Sequence, residues 1–258
     1  MSSTRNTPLT ARSVLASVLL GTDPPWLPTA LLVRTTALFG ISEGSTRTAL
    51  SRLVTAGDAK ATDGGYRLVG RLVARQQRQS ASRLADTRPW DGSWELATVD
   101  GDTRRPAADR ADLRDALGAL RLVELREGTW GRPDNLDPNR SADAVPVVAR
   151  WCVRWTGARP DPEPDMASAF GLAAWSTTAR TLRDEIAGLL PPLERGDASA
   201  LRDGFILSAA VLRHLQADPL LPDALLPSGW PGAALREEYD RYDVAYRSTL
   251  RAWFRAAR

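Results

Sequence analysis

Apolar residues recur at helical spacing through the first part of the chain, and each run is closed by a residue that ends a helix. Ala11, Val14, Leu15, Val18 and Leu19 form a stripe that stops at Gly21. A loop with Pro24 and Pro25 follows, and Pro28 suits the opening turn of a second helix carrying Leu31, Leu32 and Leu38. Gly40 is free to take the left-handed conformation that closes a helix, and Ser42 is a good N-cap for the next one. Ala49, Leu50, Leu53 and Val54 then cluster on one side of a third helix that Gly57 ends. Lys60-Ala61-Thr62 and Tyr66-Arg67-Leu68-Val69 flank Asp63-Gly64-Gly65, which is a hairpin signal. Three helices and a hairpin in about seventy residues predict a winged helix-turn-helix over 1–70, with the hairpin as the wing.

The polar side of the third helix carries the candidate chemistry. Gly44, Ser45, Thr48, Ser51 and Arg52 lie opposite the apolar side, with Arg47 at its edge. Small residues let a helix approach a major groove closely, and arginine can read guanine edges bidentately or grip phosphates. An ordinary amphipathic surface helix has the same pattern, so the neighbouring elements and the charge decide. Residues 1–90 hold twelve basic and five acidic side chains, a balance of +7; the remainder, with twenty-two basic and twenty-six acidic, stands at −4, and the whole chain at +3. A basic first third on an acidic body is the footprint of a polyanion-binding module. The expected DNA contacts are therefore Gly44, Ser45, Arg47, Thr48, Ser51 and Arg52. Lys60, Tyr66 and Arg67 join them from the wing, near the backbone or minor groove.

Beyond the wing, 71–91 is basic and helix-compatible, with Arg71, Arg75, Arg78 and Arg83. It either continues toward the DNA backbone or serves as a solvated linker helix, the second being favoured. From Ser93 the period changes. Trp94, Leu96 and Val99 alternate as in a strand, Ala107–Leu120 reads as a helix, and 118–130 contains a second strand. Val147–Thr156, with Val148, Trp151, Val153 and Trp155, predicts a further strand, so 92–160 is expected to be a small α+β domain of βαββ type. Pro160–Pro164 breaks the chain, and 165–258 reads as helical, with helices over 175–190, 201–215 and 232–255. The apolar loop 218–232 is expected to pack on these helices.

With 258 residues and 43% hydrophobic content the chain can bury a sizeable core in more than one domain. No apolar run is long enough to cross a bilayer, and Met1–Thr10 lacks a signal-peptide core, so a cytoplasmic protein with no membrane partner is expected. Cys152 stands alone and is read as a small buried apolar residue; His214, the one histidine, is read as structural. No cofactor and no metal site is expected. No Gly-rich phosphate loop, nucleophile elbow or metal-spaced Cys/His set is present, which argues against an enzyme. Asp100 and Asp102 are the one acidic pair to weigh for metal-dependent nuclease chemistry, and no further ligands complete them.

Five stretches resemble the PaaX-type family of transcriptional repressors of phenylacetic acid degradation. They are Gly40-Ile41-Ser42-Glu43, Arg47–Leu53, Trp90-Asp91-Gly92-Ser93-Trp94, Gly128-Thr129-Trp130 and Leu226–Gly232. The resemblance implies an α+β protein in three parts: a winged helix-turn-helix, a central ferredoxin-like (Cas2-like) domain and a helical C-terminal domain. It implies a homodimeric repressor on double-stranded DNA, released by an acyl-CoA such as phenylacetyl-CoA, with the effector-binding residues unknown. The chain departs from the family at Trp175-Ser176-Thr177, where a Trp-Asp-Leu precedes a tyrosine-bearing helix in other members, and over 133–149. A DNA-binding scaffold without any small effector is the alternative.

Overall fold

The computed structural model describes residues 10–22, 24–70, 72–73, 83–100 and 106–256. The protein is α+β, with nine α-helices among those residues and two small antiparallel sheets. Contacts divide it into two compact units. One is built from described residues within 1–83, 180–216 and 233–258, the other from 84–179 and 217–232.

The first unit begins with α1 (Ala11–Leu20), capped by Thr10, whose hydroxyl accepts from the Ser13 amide. Val14, Leu15, Val18 and Leu19 are buried, as their spacing requires. Strand β1 (Trp26–Pro28) leads directly into α2 (Thr29–Ala37), and α3 (Glu43–Thr55) follows. Strands β2 (Ala59–Thr62) and β3 (Gly65–Leu68) form the expected hairpin, joined by Asp63 and Gly64. The sheet has a third strand: β1 pairs with β3, giving the order β1-β3-β2. The expected loop at Pro24 and Pro25 is present, and it runs at once into a strand the sequence did not indicate, since Trp26 and Leu27 sit across from Arg67 and Tyr66. Both prolines precede the paired residues, so neither interrupts the ladder.

Gly65 is what lets β1 come this close. A Cβ there would collide with the Leu27 carbonyl and lie 2.9 Å from the Trp26 indole. That indole donates to Thr62 Oγ1 at 2.8 Å, tying the outer strands together across β3.

The second unit carries β4 (Trp94–Val99), α4 (Ala107–Ala119), β5 (Val123–Arg126), β6 (Thr129–Pro133), α5 (Ala144–Trp151) and β7 (Cys152–Ala158). All pairings are antiparallel, in the order β5-β6-β4-β7. The expected strand over 147–156 is corrected: its first half is helix α5. Ala144, Val145, Val147, Val148 and Trp151 recur at three- and four-residue steps, and all pack on the core formed by Leu113, Leu117, Leu120 and Cys152. The true strand begins at Cys152. It is an edge strand, and its Val153 and Trp155 remain 53% and 52% exposed.

Glu95 of β4 is buried among Arg132, Arg140 and Arg154. Burial, with the like charge of Arg121, lowers the Arg132 pKa to about 9, so the group still carries its proton at neutral pH. Arg132 and Asn135 both donate to the Leu220 carbonyl, at 2.9 and 3.0 Å.

Helices α6 (Met166–Ala169), α7 (Leu172–Glu194), α8 (Leu201–Gln216) and α9 (Gly232–Arg255) complete the chain. The loop before α9 packs Leu221 against Trp94, Met166 and Leu172, and Trp230 stacks on Trp175 at 4.6 Å. It therefore docks on the sheet as well as on helices. In the first unit α8 and α9 meet closely at Gly204, whose carbonyl accepts from Tyr242 Oη at 2.7 Å. The same helices hold the N-terminal elements: Phe39 meets Phe205 edge-on at 5.0 Å, and the Arg34 guanidinium lies 4.1 Å over the Trp253 ring.

Gly65→Ala is expected to destabilise the protein by about 1–3 kcal/mol, because the added methyl has no room beside β1. Urea denaturation followed by circular dichroism measures it.

Candidate nucleic-acid interface

Helix α3 is built to show one side. Ser42 caps it, its Oγ accepting from the Ser45 amide at 3.3 Å, and Glu43 places a negative charge in the first turn. Thr46, Ala49, Leu50 and Leu53 are buried, an i, i+3, i+4, i+7 stripe. Val54 was expected on this stripe and is instead 38% exposed, since its position lies a further hundred degrees around the helix. Thr46 takes the place it was not given. Its hydroxyl lies 2.7 Å from that of Thr36 on α2: one of the two donates to the other, which in turn donates to a carbonyl of its own helix, that of Ser42 at 3.0 Å from Thr46 or that of Val33 at 2.8 Å from Thr36. Two buried hydroxyls thus join the second and third helices through a satisfied pair.

A second clamp was not foreseen either. Arg12 of α1 donates to Asp58, just after α3, at 2.6 Å, and Asp58 is buried. The sequence signal was an isolated acid beside a glycine in an otherwise basic stretch.

The other side of α3 faces outward. Gly44, Ser45, Arg47, Thr48, Ser51 and Arg52 are all exposed. Arg47 is held by Glu43 at 2.7 Å, an exposed i,i+4 pair that orders the guanidinium without burying it. The Thr48 hydroxyl donates back to the Gly44 carbonyl at 2.9 Å, which leaves its lone pairs outward. A Cβ built on Gly44 meets nothing within 4 Å, so this glycine is not demanded by packing.

On the sheet, Lys60 and Arg67 are directly opposite one another in the β2–β3 register, both exposed, and Trp26 faces Arg67 from β1. Alternation places Tyr66 on the other face, opposite Ala61 and Leu27. The three wing residues named from the sequence thus divide into a basic pair and a tyrosine on opposite faces. Trp26 joins the basic pair through β1, whose short length hid it.

Of the basic segment after the sheet, Arg71, Arg75 and Arg78 lie outside the described residues. Arg83 is described and is tied to α9, donating to Asp240 and Asp243 at 2.5 and 3.0 Å. Among the described residues no group of three or more His, Cys, Asp or Glu side chains is placed to hold a metal, and Asp102 lies outside them. Among the same residues no helix is long and apolar enough to cross a membrane.

Comparison with known proteins gives the class: the chain is that of a transcriptional regulator. Residues 10–72 match the model of the PaaX-like protein family, and 170–256 match that of the PaaX-like protein C-terminal domain. The chain belongs to the PaaX-like family. Among solved structures it is similar to the uncharacterized protein Rv0674 from Mycobacterium tuberculosis. The two are 40% identical, with 94% of this chain and 98% of that one covered and a TM-score of 0.73. No curated protein matches it.

Ser42→Ala is expected to cost about 1 kcal/mol by leaving a first-turn amide without its acceptor. Thermal unfolding followed at 222 nm gives the value.

Proposed function

We propose that the protein is a ligand-responsive repressor that binds a palindromic operator as a homodimer and is released by an acyl-CoA such as phenylacetyl-CoA. The observation that carries this reading is the outward side of α3, exposed over its whole length within the segment that matches the PaaX-like family. Helices α1–α3 with the sheet β1-β3-β2 support a winged helix-turn-helix, β2 and β3 being the wing. The strand order β5-β6-β4-β7, with α4 after the first strand and α5 after the third, supports a ferredoxin-like central domain.

In this reading each subunit sets 44–52 into a major groove, with half-sites about one helical turn, or a multiple of it, apart. Arg52 and Arg47 contact bases or phosphates, and Thr48 and Ser51 follow. Lys60 and Arg67, side by side on one face of the wing, neutralise phosphates, while Tyr66 approaches from the other face. Two weak grips add up only when geometry allows both at once, so a modest change of spacing is enough for release. The site is cytoplasmic and needs no cofactor.

Two substitutions separate contact from folding. Arg52→Ala should weaken operator binding by about 1–3 kcal/mol at fixed salt if its contact is bidentate. Unchanged affinity and sequence preference in a mobility-shift titration would remove Arg52 from the interface. Gly44→Ala should stabilise the helix by about 0.5–1 kcal/mol, because the position is helical and spacious. The same methyl stands on the side that meets the groove, so operator affinity should fall while the melting temperature rises.

A further inference from the structure

A cavity of about 150 Å³ opens inside the first unit, between the N-terminal elements and the two last helices. Its apolar wall is made by Val18, Leu27, Phe205, Leu212 and Leu250. Protein cores leave few voids larger than a water molecule, and a space of this size accommodates a benzene-sized group. A second wall is polar. Ser208 lies beside the Tyr239 and Tyr242 phenols, and its buried Oγ has no hydrogen bond of good geometry. Burial raises the pKa of both phenols, so they remain neutral donors. Asp243, at the same wall, is already neutralised by Arg83 and Arg247, at 3.0 and 2.9 Å. Arg213, exposed, stands at the rim. The charge around the opening is therefore positive in excess, and the inner polar group lining the space is the Ser208 hydroxyl beside two phenols.

We infer that this cavity is the effector site, and that it takes the acyl part of a small carboxylic acid or of its coenzyme A thioester, with an apolar end no larger than one aromatic ring. This rests on the ligand-responsive reading above. The apolar end fills the space between Leu27, Phe205 and Leu250, the acyl oxygen meets Ser208, and the anion lies toward Arg213 and Arg247. A nucleotide does not fit inside, so in a thioester the phosphates stay beyond the rim.

The place of the cavity explains how occupancy reaches DNA. Leu27 belongs to β1, directly opposite Tyr66 of β3, and Thr35 of α2 lines the space next to Thr36, the partner of Thr46 on α3. Any ligand that binds one arrangement of these walls better than another shifts the DNA module by that difference, and operator DNA shifts ligand affinity equally in return.

The test is calorimetric titration of the full chain with benzoate, hexanoate and the coenzyme A thioesters of both. At least one should bind with one site per chain. Ala209→Phe, which fills the cavity, should lower that affinity at least tenfold with the melting temperature retained, and Arg213→Glu should lower it several-fold. Equal binding of acid and thioester assigns the affinity to the acyl part; binding of the thioester alone adds phosphate contacts at the rim. The assignment is overturned if no probe binds, or if both variants bind as the natural chain does. Should Ala209→Phe not fold, the exposed Arg213→Glu decides by itself. Binding of the DNA flanking the protein's own gene, measured on the same preparation, keeps the two readings apart. DNA bound without any probe leaves the repressor and removes this site, whereas a probe captured without DNA does the reverse.

Discussion

The buried side of α3 is the constraint on which the rest depends. Thr46, Ala49, Leu50 and Leu53 must all be inside at once, and their spacing leaves a single rotation of the helix that achieves it. Once that rotation is set, Gly44, Arg47, Thr48, Ser51 and Arg52 are outside without any further instruction. Thr46 sharpens the choice, because a buried hydroxyl without a partner costs more than an alanine would, and its partner on α2 is available in one register only. The polar pair thus works as a key for helix placement, while the apolar residues supply most of the stabilisation.

How far the sequence could be read follows from the same physics. Helices α1, α3, α8 and α9 were legible nearly to the residue, because each repeats apolar positions over about three turns or more, and the end of α3 is also marked by Gly57 at positive φ. The β2–β3 hairpin was legible from its glycines. Strand β1 was not: three residues give no period, and the neighbouring prolines speak for a loop. The pairing of β1 is decided by Gly65, its direct neighbour across the ladder but far along the chain. The half-helix, half-strand run 147–156 was misread because Val148, Trp151, Val153 and Trp155 satisfy either period over a short window.

The candidate interface was legible on α3 and only partly on the wing. Side-chain identity and helical spacing suffice to list the outward residues of a capped helix. In a hairpin they do not, because the face on which Lys60, Tyr66 and Arg67 each stand depends on register, and a shift of one residue exchanges the faces. The clamps that hold the module, Arg12 to Asp58 and Thr36 to Thr46, join residues 46 and 10 positions apart, beyond any local pattern.

The N-terminal elements and the last helices were expected as separate domains, yet Phe39 on Phe205, Arg34 over Trp253 and the cavity walls belong to one compact unit. The consequence is energetic. Three short helices and a three-stranded sheet bury a small core, and small cores are marginal by themselves. Here α8 and α9 enlarge that core, and they do so at close range, with Gly204 removing the side chain that would hold Tyr242 and Tyr246 away. A module stabilised in this way cannot be indifferent to what happens among those helices. Changes in their packing are changes in the support of α1 and α2, and through Thr36 in the support of α3. Coupling between the C-terminal helices and the DNA-reading side chains then needs no long path, because a shared core makes the two sites neighbours.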